Sequence, residues 1–179
     1  MADFRSQFTK EIAPRLAGSL GIENLHAIPR LVKVVINVGY SPARDPKVAE
    51  VAEAVLARIT GQKPVKTIAK KSISNFKIRQ GMPIGAMVTL RGRRMYDFVA
   101  RLVHIALPRV RDFRGLPSSS IDARGNLSIG FREYIAFPEI RLDEVDKLHG
   151  LEVTLVTNAR SEQRGRALFE ALGFPLRKS

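Results

Sequence analysis

Between Glu53 and Asp97 the chain carries no acidic residue, although 17 acids in 179 residues would place about four there. In their stead stand Arg58, Lys63, Lys66, Lys70, Lys71, Lys77, Arg79, Arg91, Arg93 and Arg94. At the centre, from Ala69 to Gly85, cations alternate with Ile73, Phe76, Ile78 and Met82, and Ser72, Ser74, Asn75 and Gln80 fill the gaps. Such a stretch has few residues that fit a core. It can neutralise phosphates while laying apolar or aromatic faces on bases and riboses. RNA contact is preferred to a merely solvated basic loop because of the length, the missing acids and the interleaved hydrophobics.

The rest of the chain carries the same charge bias. Its formal net charge is +13 and its isoelectric point about 10.7, which says little about fold but points to a polyanionic partner. Nucleic acid comes first and an anionic membrane surface second. No apolar run approaches the roughly 20 residues of a membrane span. The opening Met-Ala-Asp-Phe-Arg lacks a signal-peptide pattern. With no cysteine, disulfides and thiolate metal sites are excluded, and a cytoplasmic setting fits. A chain of 179 residues is most simply one domain, residues 1–179, able to bury a core.

Periodicity predicts the elements. Phe4, Phe8, Ile12, Leu16 and Leu20 mark a helix over Asp3–Leu20, kinked or split at Pro14 and ended by Gly21. Arg30–Val38 alternates as a strand, with Val32, Val34, Ile36 and Val38 on the core side and Lys33, Val35 and Asn37 on the other. Asp45-Pro46 starts a second helix, buried through Val48, Val51, Ala52, Val55 and Ile59 and closed by Gly61. Strands are expected at Gln62–Ile68 and Ala86–Arg91, joined by the basic segment. Ala86, Val88 and Leu90 point one way and Met87, Thr89 and Arg91 the other. An amphipathic helix over Arg93–Leu107 stops at Pro108, and Arg109–Arg124 reads as an exposed loop. Asn126–Arg132 alternates, and Tyr134–Phe137 continues it or crosses over. Leu142–Leu148 forms a short acidic helix, and Leu151–Thr157 is a strand. Ser161 caps a last helix that buries Leu168, Phe169 and Leu172 ahead of Gly173. The sum is an α+β fold: a mostly antiparallel β-sheet, helices packed on one face, a polar open face and a long basic loop between two strands.

No catalytic, cofactor or metal motif stands out. His26, His104 and His149 are scattered, Asp143, Glu144 and Asp146 lack EF-hand spacing, and Gly81–Gly85 is not a Walker loop. Two rivals remain beside an RNA-binding protein. One is an RNA-modifying or RNA-cleaving enzyme using Asp112 or Asp122, each near arginines. The other is a basic architectural DNA-binding protein.

Longer motifs point further. Ile59-Thr-Gly-Gln-Lys-Pro64, the whole of Ala69–Gly85, Val88-Thr-Leu-Arg91, Pro108-Arg-Val-Arg-Asp-Phe-Arg-Gly115, Phe137-Pro-Glu-Ile140 and Gly173-Phe-Pro-Leu-Arg-Lys178 follow one another in order. Across essentially its whole length the chain resembles the bacterial large-subunit ribosomal protein L-five family. The resemblance implies an antiparallel sheet with helices on one face. It also implies a structural, non-enzymatic role without metal or cofactor, attaching 5S rRNA in the central protuberance. Implied partners are 5S rRNA, 23S rRNA, peptidyl-site tRNA, neighbouring 5S-binding ribosomal proteins and a small-subunit protein (S-thirteen) across an intersubunit bridge, with no membrane.

The implied 5S rRNA contacts are Lys33, Asn37, Gln62, Lys63, Lys66, Thr89 and Arg91. Of these, Asn37, Thr89 and Arg91 lie on polar strand positions already read as open. The tRNA- or rRNA-contacting loop comprises Lys70, Lys71, Ser72, Asn75, Phe76, Lys77, Arg79 and Gln80, expected to project as an arm and order on RNA. The intersubunit side comprises Arg109, Arg111, Arg114, Asp143 and Glu144. One stretch departs from the family: Ile121-Asp-Ala-Arg-Gly-Asn-Leu127 has Ala123 in place of a glycine and Leu127 in place of an aromatic. A positive φ at Ala123 would cost roughly 1 kcal/mol.

Overall fold

The computed structural model describes residues 4–41, 48–132, 136–140 and 150–177. The expected helix start at Asp45-Pro46, Tyr134, the acidic Leu142–Leu148 segment with Asp143, Glu144 and Asp146, and His149 lie outside the described residues. The fold is α+β. Its strands are β1 (Leu31–Gly39), β2 (Val65–Ile68), β3 (Pro83–Leu90), β4 (Leu127–Phe131) and β5 (Leu151–Thr157). They form one antiparallel sheet ordered β2-β3-β1-β5-β4. The helices are α1 (Phe4–Gln7), α2 (Ala13–Leu20), α3 (Val48–Thr60), α4 (Gly92–Arg101) and α5 (Glu162–Ala171). The chain divides into two compact units: 1–34, 90–129 and 154–179 form the first, and 35–89 with 130–153 form the second.

In the first unit, the kink expected at Pro14 is a change of helical register. A π-helical turn, Phe8–Ile12, joins α1 to α2, and Ala13 N donates to Phe8 O five residues back. Pro14 has no N–H, and its ring crowds the carbonyl four residues back, so a widened turn just before it relieves both problems. The same solution recurs after α4. Leu102–Ala106 is a π turn whose C-terminal neighbour Leu107 donates to Leu102 O immediately before Pro108. Gly21 closes α2 at φ 61°, in the left-handed region. Phe4, Phe8, Leu16, Phe98, Leu102, Leu168 and Phe169 are buried in this unit's core. Phe8 packs on Tyr96 at 5.7 Å between ring centres, and Phe169 meets Phe174 edge-on at 5.4 Å.

Two expectations for this unit need correcting. Val32 is not a core residue; it is 41% exposed, while Leu31 beside it is buried. The segment after α4 is exposed only in part. Leu116 and Ile121 are buried, and Leu116 is pinned by its N–H to Pro175 O (2.8 Å) and by Arg177 N to its own carbonyl (2.8 Å). Paired backbone of this kind can be buried without loss of hydrogen bonds.

In the second unit, Ile36, Val38, Ala86 and Val88 are buried on one side of the strands, with Ala52, Val55, Leu56 and Ile59 buried along α3. Gly61 ends α3 at φ 66° and donates to Ala57 O at 2.8 Å. Strand β2 begins at Val65, three residues later than the pattern predicted, and pairs antiparallel with β3 in the register Val65↔Met87, Lys66↔Ala86 and Thr67↔Gly85. Pro83 opens β3, a place where a missing N–H costs no ladder bond.

Candidate nucleic-acid interface

The pleat of β1 and β3 sorts side chains in the second unit. Ile36, Val38, Ala86 and Val88 face the core, whereas Val35, Asn37, Met87 and Thr89 keep access to solvent. Residues directly opposed across an antiparallel pair share a face, so Val65 joins Met87. The open face therefore presents Asn37 and Thr89 as hydrogen-bonding groups beside Val65, which is 62% exposed, and Met87, which is 38% exposed. Met87 stands on the side its alternation with Ala86 and Val88 gave it, whereas Val65 was not foreseen there; the register of β2 opposite Met87 puts it on this face. A face of spaced polar groups and exposed apolar surface suits riboses and base edges.

Gln62 is fixed at the rim of this face. Thr60 Oγ1 donates to Leu56 O at 2.6 Å and accepts from Gln62 N at 3.2 Å. Gln62 Nε2 then donates to Thr89 O at 3.4 Å, which brings two of the expected RNA contacts together. Lys63 is exposed next to it. Lys66 is placed differently from the others. It opposes Ala86, on the core-facing side, and its Nζ lies 3.2 Å from Glu53 Oε1 on α3. Tyr40 belongs to the same group. Burial pushes its phenol above the usual range, the Glu53 charge adds to this, and Lys66 opposes it. Lys33 and Arg91 fall in the first unit; Lys33 is half-buried on β1 and Arg91 is exposed just beyond β3.

The segment between β2 and β3 has a bonded framework of its own. Ala69 N donates to Met82 O (2.8 Å) and Gly81 N to Ala69 O (3.0 Å) at its base. Further out, Ile73 and Ile78 exchange both backbone bonds, at 2.9 and 3.1 Å, around a short 3₁₀ turn, Ser74–Phe76. Lys77 closes that turn at φ 53°. Gln80 N adds a bond to Ser72 Oγ at 2.9 Å. These bonds make the segment a hairpin with local backbone pairing of its own. Lys70, Lys71, Ser72, Asn75, Phe76, Lys77, Arg79 and Gln80 are all placed on it with access to solvent, Phe76 by 64%. A cavity of about 470 Å³ opens between Ser72, Ser74, Lys77, Ile78 and Arg79.

Arg109, Arg111 and Arg114 are exposed in the first unit, whereas Asp143 and Glu144 lie outside the described residues. Asp122, a candidate of the enzymatic rival, is engaged in a turn. Its Oδ1 accepts from Arg124 N (2.9 Å) and Asn126 N (2.8 Å), and its Oδ2 accepts from Asn126 Nδ2 (2.8 Å). Partial burial pushes its carboxyl up, but those bonds and the Arg124 charge outweigh that and hold it below the usual range. Ala123 avoids the left-handed region, and Gly125 takes it instead at φ 80°. Among the described residues no three His, Cys, Asp or Glu side chains gather as a metal would require, and no helix is long and apolar enough to cross a membrane.

Two family models together match most of the chain. Residues 24–79 match the family model for ribosomal protein L5, and residues 83–176 match the model for the C-terminus of the same ribosomal protein family. The chain is 52% identical to large ribosomal subunit protein uL5 of Halothermothrix orenii over 98% of both chains. It is 54% identical to the uL5 protein of Herpetosiphon aurantiacus over 99% of both, and 53% identical to that of Chloroflexus aurantiacus over 97% of both. With both halves matched and half of all positions identical along the full length, the chain belongs to the ribosomal protein L5 (uL5) family of large-subunit ribosomal proteins.

Proposed function

We propose that this protein is a non-catalytic constituent of the large ribosomal subunit in the cytoplasm, acting as a single RNA-binding domain that helps attach 5S rRNA. The observation that carries the reading is the open face of β1 and β3. Asn37 and Thr89 stand there among exposed Val65 and Met87, with Gln62 and Lys63 at the rim, in a chain of net charge +13. Hydrogen bonds to 2′-hydroxyls and phosphates come from the polar groups, and apolar contact from the valine and methionine. The arm at 69–82 makes a separate contact, with peptidyl-site tRNA. Arg109, Arg111 and Arg114 belong to a side that meets a small-subunit protein.

The test is to tag the full-length protein, recover it from cells after dissociating ribosomes into subunits and then stripping them at moderate salt, and sequence the RNA that stays bound. Enrichment of 5S rRNA over every other RNA is expected. Recovery of no RNA, or of duplex DNA in its place, would contradict the reading.

A further inference from the structure

A second cationic site, none of whose lining residues is assigned above to RNA, lies in the first unit. A cleft of about 410 Å³ is lined by Arg124, Asn126, Val156, Thr157 and Arg160. Its floor is rigid. Thr157 Oγ1 donates to Gly125 O at 2.7 Å, and Thr157 N donates to Asn126 Oδ1 at 2.9 Å, so the 122–126 turn is fastened to the end of β5. Gly125 also packs against Gly165 of α5 so closely that a Cβ on Gly165 would lie 2.5 Å from Gly125 Cα. Arg124 and Arg160 are thus carried on fixed backbone, which removes much of the ordering cost of a two-arginine clamp.

Three features make this more than a solvated basic patch. Among the described residues neither guanidinium forms an ion pair, and the Asp122 carboxylate, whose charge interacts with that of Arg124, is already taken up by three N–H donors of its own turn. Arg160 sits at φ 60°, a left-handed conformation that glycine adopts without strain and an arginine does not. Backbone strain of this kind gathers at ligand sites. Asn126 Nδ2 gives one hydrogen to Asp122 and keeps a second for another acceptor. Two forked guanidinium groups with a spare amide donor match the oxygens of a phosphate.

We propose that this cleft binds a phosphodiester of an RNA strand, giving the protein a second backbone contact independent of the open strand face. The proposal rests on the reading of the protein as an RNA binder. Its test is the salt dependence of binding to purified 5S rRNA and, separately, 23S rRNA, for wild type and the Arg124→Gln/Arg160→Gln double variant. Loss of one phosphate contact should flatten the slope of log K against log salt by about 0.7–0.9 for at least one of the two RNAs. Arg160→Gly removes the charge and the strain together, so it should weaken binding with an unchanged or raised Tm. A slope unchanged for both RNAs in folded variants overturns the proposal. So does saturation of the Arg124 and Arg160 Nε–H resonances by inorganic phosphate with no response to RNA. If wild type binds neither RNA, it is the RNA-binding reading itself that fails.

Discussion

The arm at 69–82 and the turn at 122–126 are both polar and arginine- or lysine-bearing, yet only the turn is fastened to other elements. The arm is held by bonds to itself: Ala69 to Met82 and Gly81, Ile73 to Ile78, Ser72 to Gln80. The turn has bonds of its own around Asp122 but is also fastened to other elements, through Thr157 on β5 and the glycine contact with α5. A segment bonded only to itself can be removed without orphaning donors or acceptors elsewhere. A segment bonded to neighbours cannot. The comparison therefore predicts where sequence changes cost stability and where they cost only a partner.

The largest effect should come from Gly165→Ala. The added Cβ meets Gly125 Cα at 2.5 Å and Gly125 O at 2.6 Å, and backbone cannot swing aside as a side chain can. A loss of about 2–3 kcal/mol, read by urea denaturation, is expected from this overpacking. A smaller loss, about 1–2 kcal/mol, should follow Asp122→Ala, which frees the N–H groups of Arg124 and Asn126. By contrast, replacing Ser72–Met82 with a short glycine-containing turn should leave the urea midpoint nearly unchanged while impairing retention of peptidyl-site tRNA on rebuilt ribosomes. If that shortened protein unfolds, the arm is not self-contained and the comparison breaks.

Acid sharpens the same contrast. The folded Asp122 carboxyl titrates below its unfolded value, so its contribution is present above about pH 4 and is lost as pH falls through the depressed value. The Tm gap between wild type and Asp122→Asn should narrow over that fall; a gap constant to about pH 2 would show that the carboxylate's charge does not matter. The smallest effect belongs to Lys66→Met. Its ion pair with Glu53 is largely solvent-exposed on the lysine side, and such pairs contribute about 0–1 kcal/mol.

Much of this was legible in the residues. Leu151–Thr157 is the strand its alternation predicts, Gly61 and Gly21 take left-handed conformations at helix ends, and Ser161 Oγ caps α5 by accepting from Arg164 N. What escaped notice depends on partners distant in sequence. The burial of Leu116 follows from a bridge to Leu176, and Lys66 turned toward α3 because the register with β3 put it opposite Ala86. The π turns before Pro14 and Pro108 have a local cause: the break at Pro14 was legible from the proline itself, but periodicity averages over one extra residue and does not show that the break is a π turn. The site was legible in its charge and in Asn37 and Thr89. Val65 was not, because it read as an ordinary strand residue until the register opposite Met87 placed it on the open face.

The central claim is that the strand face, and not the more highly charged arm, holds 5S rRNA. Filter binding of 5S rRNA to wild type, Asn37→Ala, Thr89→Ala and the arm-shortened protein, each checked by thermal melting, tests it in one series. Each face variant should lose about 1–2 kcal/mol of affinity, roughly 5- to 30-fold, with its melting curve unmoved, while the shortened protein binds as wild type does. Unchanged affinity in both face variants, or loss of 5S rRNA binding on shortening a still-folded protein, would contradict the account.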